Sequence, residues 1–492
     1  MFELLHPDGP PARCAIWGDA CPDALRPERL RPRGAPVDVI VLAPAPHEFA
    51  EPGWLEDAAA GAAAVLAPDG LVCLIAPRRA RRRARGLLRD AGLAVAEPPL
   101  IHVPTWTSDH HVFQLTADAA RFAGREVFGG RSWKKRVAPL ALERAAAGRL
   151  LAGALRHVTE VARRPGGRPL FEWLLRLGEQ GATPPGTVIV RVRRRASRAT
   201  ALLHRVEPGG VRSELLAKLS LRDVSGSGWP RDTERIERFG AGAARAGAQV
   251  PRASRAQTIG GHPVLVQTRL PGRPAATIIA ESPTRAAAVM EQVAAWLAVW
   301  NRATVRVCPA DAALFEREIT SHAALVVPRL AGGQAYHDWL AHSCAGLAGE
   351  PMPQVVAHGD LTMANVVVDD RGGMGVVDWE TAHDRALPLG DAFYALADAA
   401  AATNRYADRV GDFVACFDRP GGRADHVGRL SVRVAVAARA TPAVMLLAFH
   451  ACWLHHAANE ERDAGAGGDR PFLGILQWIA DRHRTWRPRG WG

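Results

Sequence analysis

Asp360, Asn365 and Asp378 are the residues whose types and spacing fit one chemistry. They lie in Val355-Val-Ala-His-Gly-Asp-Leu-Thr-Met-Ala-Asn-Val-Val-Val-Asp-Asp-Arg-Gly-Gly-Met-Gly-Val-Val-Asp-Trp-Glu380. An apolar run leads to His358-Gly359-Asp360, and Asn365 follows Asp360 by five positions. A short strand over 366–369, a glycine turn at 372–373 and a second strand ending at Asp378 come next. A hairpin of this length returns the chain to the edge it left, so two carboxylates and a carboxamide converge. Hard oxygen donors of this kind suit Mg²⁺, which keeps several waters and leans on one or two carboxylates and on substrate phosphates. The spacing Asp-x4-Asn with a later Asp is that of kinase catalytic loops.

The segment is similar to the aminoglycoside phosphotransferase and choline kinase family, whose pattern is His-Gly-Asp-x4-Asn followed by Asp-Trp-Glu. The resemblance covers roughly residues 186–492 and implies a bilobal α+β fold like that of protein kinases, with ATP-dependent phosphorylation of a hydroxyl. Carried onto this sequence, it makes Asp360 the catalytic base and gives Mg²⁺ to Asn365 and Asp378. His358 is expected to pack and hydrogen-bond so as to shape the loop. Trp379 and Glu380 stand where the family places structure or acceptor contacts. Asp391 reads as a helix cap or loop brace.

Such a segment needs strands in front of it. Residues 188–192, 201–206 and 215–221 read as those strands. The chain carries a formal charge of +12, yet its only lysines are Lys134, Lys135 and Lys218. A lysine kept among the apolar residues of 215–221 needs a specific reason, because an unpaired buried ammonium is costly. The resemblance makes Lys218 the ligand of the α/β-phosphates, paired with a glutamate on the helix 231–239. Glu234 is preferred, with Glu237 the alternative. Val264–Gly272 resembles the strand and hinge that bind adenine, with Gln267, Thr268 and Arg269 as candidates. The loop 193–200 has no glycine, and Ser197 is its candidate phosphate donor.

Few residues separate Asp378 from Asp391, too few for the long segment with which protein kinases dock a polypeptide. A small metabolite or glycan-type hydroxyl is therefore the expected acceptor. Phe449, Trp453, His455 and His456 are read either as acceptor contacts or as core. Two alternatives stay open. An aminoglycoside-modifying resistance kinase would want a pocket rich in Asp and Glu, and a catalytically silent nucleotide-binding module is permitted by the missing glycine loop.

Residues 1–117 have α/β texture, with strands at 37–43 and 71–76, helices at 54–66 and 78–91, and a turn at Ala67-Pro-Asp-Gly70. Gly18-Asp-Ala20 and Ala67-Pro-Asp-Gly-Leu71 resemble the second half of a class I methyltransferase fold. Too few residues precede Gly18 for that family's methionine and ribose sites. The region is therefore read as a truncated, Rossmann-like domain kept for packing, self-association or a protein partner. Residues 118–185 read as a helical connector, 186–270 as the smaller kinase-like lobe and 271–492 as the helical lobe.

The positive charge is almost entirely arginine, a compositional skew that weakens the case for nucleic acid. The densest run, Arg78 to Arg85, lacks interleaved aromatics for base stacking and reads as a solvated helix face. Seven scattered cysteines with no CxxC pair argue against disulfides or structural zinc. No run reaches the ~18 apolar residues of a membrane span, and no signal peptide is legible. A cytoplasmic location is expected.

Overall fold

The computed structural model describes residues 13–17, 36–51, 53–97, 99–103, 111–114, 116–119, 157–168, 170, 187–194, 199–206, 213–220, 229–253, 257–259, 262–463 and 470–491. Ser197 and Gly18-Asp-Ala20 lie outside them. The chain forms two compact units, one of residues 1–230 with 253–269, the other of 231–252 with 270–492.

The first unit is built on one sheet. Strands β1 (Cys14–Trp17), β2 (Val37–Leu42) and β3 (Leu66–Pro77) run parallel. Helices α1 (Pro46–Ala50) and α2 (Trp54–Val65) make the crossover from β2 to β3. Ile40, Leu42, Val72 and Leu74 are fully buried with Leu55 and Ala62 of α2, as expected of strands with near-continuous apolar runs. Pairing jumps from Val37–Leu66 to Val39–Leu71, so the expected 67–70 turn is a bulge inside β3. Helix α3 (Arg81–Asp90) gives way at Gly92, whose φ of 81° is open to glycine.

Arg81, Arg83 and Arg85 of α3 are paired within the unit. Arg81 donates to Glu160 at 2.5 Å, Arg83 pairs with Glu56 and Arg85 with Glu97. Glu160 is fully buried, and desolvation raises its pKa against the pull of Arg81. It lies on β7 (His157–Arg163), an interior strand within the stretch read as a helical connector. Val158, Thr159, Val161 and Ala162 pair antiparallel with β3 and are buried. The buried glutamate in their midst hid the strand pattern.

Beyond β7 the sheet continues through β5 (Leu100–Val103), β6 (His111–Gln114), β8 (Thr187–Arg194), β9 (Ala199–Val206), β10 (Ser213–Ser220), β12 (His262–Thr268) and β11 (Gln257–Ile259), while the short β4 (Ala94–Val95) pairs with β7. The division expected at residue 186 thus falls inside a continuous sheet: β6 pairs with β8 through His111–Arg191, Val112–Val190 and Phe113–Ile189.

The second unit is mainly helical. Helix α4 (Trp229–Arg245) enters it at Arg231, and β13 (Arg273–Pro274), α5 (Ala275–Glu281) and α6 (Ala286–Thr304) follow. Next come β14 (Arg306–Pro309), α7 (Ala312–Phe315), a π-helical turn at Glu316–Thr320, α8 (Ser321–Val326) and α9 (Gly333–Leu347). Strands β15 (Pro351–Ala357), β16 (Val366–Val368), β17 (Met374–Val376) and β18 (His383–Ala386) carry the catalytic-type segment. Helices α10 (Gly390–Thr403), α11 (Arg409–Phe417), α12 (Gly422–Ala437), α13 (Pro442–Asp463) and α14 (Pro471–Ala480) complete it.

Two three-stranded sheets, β13–β16–β17 and β14–β15–β18, set the loop between β15 and β16. Gly242 of α4 lies against Trp300 of α6, where an added Cβ would come within 2.8 Å of the indole. Among the described residues no single helix is long and apolar enough to cross a membrane.

Candidate active site

The loop after β15 is held from three sides. Asp391, in the first turn of α10, accepts the backbone N–H of His358 at 2.7 Å and of Gly359 at 2.9 Å, the bracing role read from the sequence. Asp398, further along α10, accepts Met363 N–H at 2.7 Å and pairs with Arg409. Burial raises the Asp398 pKa in spite of that arginine. Thr381 donates its hydroxyl to the His358 carbonyl at 2.9 Å. Gly359 has φ 81°, and a Cβ there would stand 2.9 Å from the Thr381 carbonyl oxygen, so both conformation and space require glycine.

His358 is fully buried, and burial lowers its pKa, which keeps the ring neutral. Its Nε2 lies 3.0 Å from the Val377 carbonyl, an acceptor, so the proton sits on Nε2. Nδ1 is then left to accept Asp360 N–H at 3.4 Å. The histidine therefore ties the loop to the end of β17, the structural role expected of it.

Asn365 Nδ2 donates to the Asp360 carbonyl at 2.9 Å and to its Oδ2 at 3.2 Å. Both partners are oxygens, which settles the amide orientation and turns Oδ1 away from them. The hairpin β16–β17 carries the chain from Asn365 to Asp378, and Val377 N–H returns to the Asn365 carbonyl at 2.9 Å. Asp378 adopts a left-handed conformation, φ 71° and ψ 61°. That strain, tolerated by aspartate better than by most residues, is common at functional positions.

Trp379 belongs to the core. It is fully buried, edge-on to Trp300 and His358, and donates Nε1–H to Val376. Its backbone N–H goes to Asp232 of α4 at 3.0 Å. Asp232 is fully buried, whereas Glu234 and Glu237 on the same helix are exposed. The sequence reading passed over Asp232; its spacing from the buried Ile236 and Phe239 was the signal.

A cavity of about 420 Å³ opens beside Gly359 and Asp391, a size suited to a small ligand. Glu380, His455 and His456 line it. Phe449 and Trp453 are buried in an aromatic cluster with Phe413 and Phe417 instead. His322 and His455 face each other with nitrogens 3.2 Å apart, and burial drives both pKa values down to about 4. Sequence reasoning missed Glu318 and His322, which come from the π-helical turn and α8, far away in the chain.

The nucleotide candidates lie in the first unit. Lys218 of β10 is 5% exposed, paired in register with Leu202 of β9 and Leu265 of β12. Gln267 of β12 is 3% exposed, and its Oε1 has no hydrogen-bond partner among the described residues. Thr268 and Arg269 follow, half-buried.

The model of the phosphotransferase enzyme family, APH, matches residues 181–424. Residues 181–424 belong to that family. Three of the solved structures to which the chain is similar follow. The GDP complex of an aminoglycoside 2'-phosphotransferase-IIIa mutant is 12% identical, with 62% of this chain and 92% of that one covered and a TM-score of 0.38. A thermostable mutant of aminoglycoside phosphotransferase APH(4)-Ia is 14% identical, covering 60% and 95%, with a TM-score of 0.41. An ethanolamine kinase of Plasmodium vivax is 11% identical, covering 60% and 82%, with a TM-score of 0.38. No curated protein matches the chain. Asp360, Asn365, Asp378, Lys218 and Gln267 all fall inside the phosphotransferase segment.

Proposed function

We propose that the protein transfers the γ-phosphoryl group of Mg·ATP to a hydroxyl of a small metabolite or glycan-type acceptor. The observation that carries this reading is the Asp360–Asn365 pair, hydrogen-bonded in a loop braced by Asp391 and His358 and followed by the strained Asp378. Asp360 orients the acceptor hydroxyl and takes its proton. Asn365 Oδ1 and the Asp378 carboxylate are the Mg²⁺ ligands.

The donor set fits that ion. Among the described residues no cluster of three or more His, Cys, Asp or Glu side chains could hold a metal, and Mg²⁺ bound with water and phosphate oxygens needs no such cage. Bound Mg²⁺ would neutralise charge on the phosphates. Lys218 supplies a fixed positive charge to the α/β-phosphates. Gln267 offers a buried Oε1 to the amino group of adenine, with Thr268 and Arg269 as the adjoining backbone. Glu234, being exposed, is a weaker partner for Lys218 than the sequence reading made it, and nothing in the reading depends on it.

The test is transfer of labelled γ-phosphate from ATP into an extract separated into soluble, lipid and protein pools. Label in a small-molecule pool with wild-type protein, lost with Asp360→Asn while nucleotide affinity stays within about threefold, is the expected outcome. Equal transfer by Asp360→Asn would refute the assignment.

A further inference from the structure

Resting on that reading, the cavity beside the catalytic loop also indicates the acceptor's charge. Its acids are already committed. Glu318 receives Arg317 Nε at 2.8 Å, His383 Nε2 at 3.3 Å and Leu387 N–H at 3.4 Å. Asp391 is occupied by two backbone amides, and Glu380 is also engaged. The cations include two that are not committed. Arg231 and Arg235, one turn apart on α4, line the cavity, and among the described residues neither forms an ion pair. The Arg235 Nε is buried and has no hydrogen-bond partner among the described residues.

An independent observation points the same way. Arg462, Asn459, His455 and His322 close a ring of contacts at 2.9, 2.9, 3.2 and 3.4 Å. Arg462 brings two N–H groups into the ring, and Asn459 and the two neutral histidines bring one each. Five donors therefore face four links, whichever amide orientation or tautomers are chosen. The ring offers three acceptors, so two N–H groups are always left without one within it, and His322 and His455 line the cavity. The neighbouring wall is the π-helical turn Glu316–Thr320, a local distortion frequent at functional sites.

We propose that the acceptor is a hydroxyl compound carrying an oxyanion, a carboxylate or a phosphate, seated against Arg231, Arg235 and the His322–His455 edge. A polycationic amino sugar would meet two uncompensated arginines and a surplus of donors, and is not the expected acceptor.

The experiment uses the full chain with saturating Mg·ATP at fixed ionic strength. Transfer is measured to hydroxycarboxylates, to sugar phosphates and to kanamycin. Succinate and inorganic phosphate, which lack an alcohol to phosphorylate, serve as competitors and as ligands in calorimetry. Transfer to one of the two anionic sets is expected, with KM raised at least tenfold by Arg235→Gln and Arg231→Gln, and restored by Arg235→Lys. Competition by succinate or by phosphate distinguishes a carboxylate from a phosphate ester. Transfer to kanamycin, or an anion affinity untouched by both arginine variants, overturns the proposal. Succinate or phosphate binding that Arg235→Gln abolishes, without transfer to any acceptor, upholds the oxyanion site and defeats the phosphotransferase reading.

Discussion

Replacing Asp391 by asparagine isolates the brace behind the catalytic-type loop. The carboxylate accepts His358 N–H at 2.7 Å and Gly359 N–H at 2.9 Å, one oxygen for each. A hydrogen bond to a charged group is worth about 1.5–3 kcal/mol, and an unmet buried donor costs a similar amount. Asparagine keeps one acceptor and turns an NH₂ toward the second amide, so one bond is lost outright. With about 2 kcal/mol removed and a tenfold change for every 1.4 kcal/mol, local opening of the loop becomes about 30-fold more frequent. Native-state hydrogen exchange reads this directly. The amides of His358 and Gly359 should exchange about 30-fold faster, while those of α6 keep their protection. Turnover should fall with them, because Asp360 follows the released residues. Unchanged exchange at both amides in a folded Asp391→Asn protein would refute the claim that the loop's shape is held by this carboxylate.

Gly359→Ala should cost about 1–2 kcal/mol from the left-handed conformation alone. The 2.9 Å approach to the Thr381 carbonyl adds to it, giving a lower urea midpoint and a loss of turnover. Asp232→Ala strips the buried Trp379 N–H of its acceptor, and should lower stability by about 1–3 kcal/mol, read from the urea midpoint by tryptophan fluorescence. The Glu318–His383 pair sets a pH dependence. Burial works against charge on both, but the bond and attraction between them win, so the His383 pKa is raised and the Glu318 pKa lowered. Its stabilisation is lost as pH rises through the raised histidine value and as pH falls through the depressed glutamate value. Urea midpoints of wild type and Glu318→Gln should differ most between those limits and converge outside them.

The candidate reacting residues could be proposed because their spacing is local: Asp360, Asn365 and Asp378 flank one hairpin, where counting positions suffices. The buried strand position of Lys218 was legible for a compositional reason, as a lysine kept where arginine has replaced nearly all others. Contacts made across the chain were not. Asp232 and Trp379 are 147 positions apart, and His322 and His455 are 133 apart, so no periodicity links them. Strand β7 was missed because Glu160 breaks its apolar pattern, and the arginines that make a buried acid tolerable lie on α3. Helix α4 was read correctly as a helix, yet its buried acid is Asp232, one turn-face away from the glutamates that drew attention.

The sheet of the first unit has a consequence for ancestry and for engineering. Kinship with the phosphotransferases begins at residue 181, but the backbone ladder runs past that border through the β6–β8 pairing. A fragment cut at the border would leave β8 with a raw row of unpaired N–H and C=O groups, the template on which strands of other chains add themselves. The leading segment therefore acts as a selvedge, finishing an edge that the part matching the phosphotransferases cannot finish alone. Such a joint cannot be swapped by fusing sequences end to end, because a replacement leader must match β8 in hydrogen-bond register as well as in length.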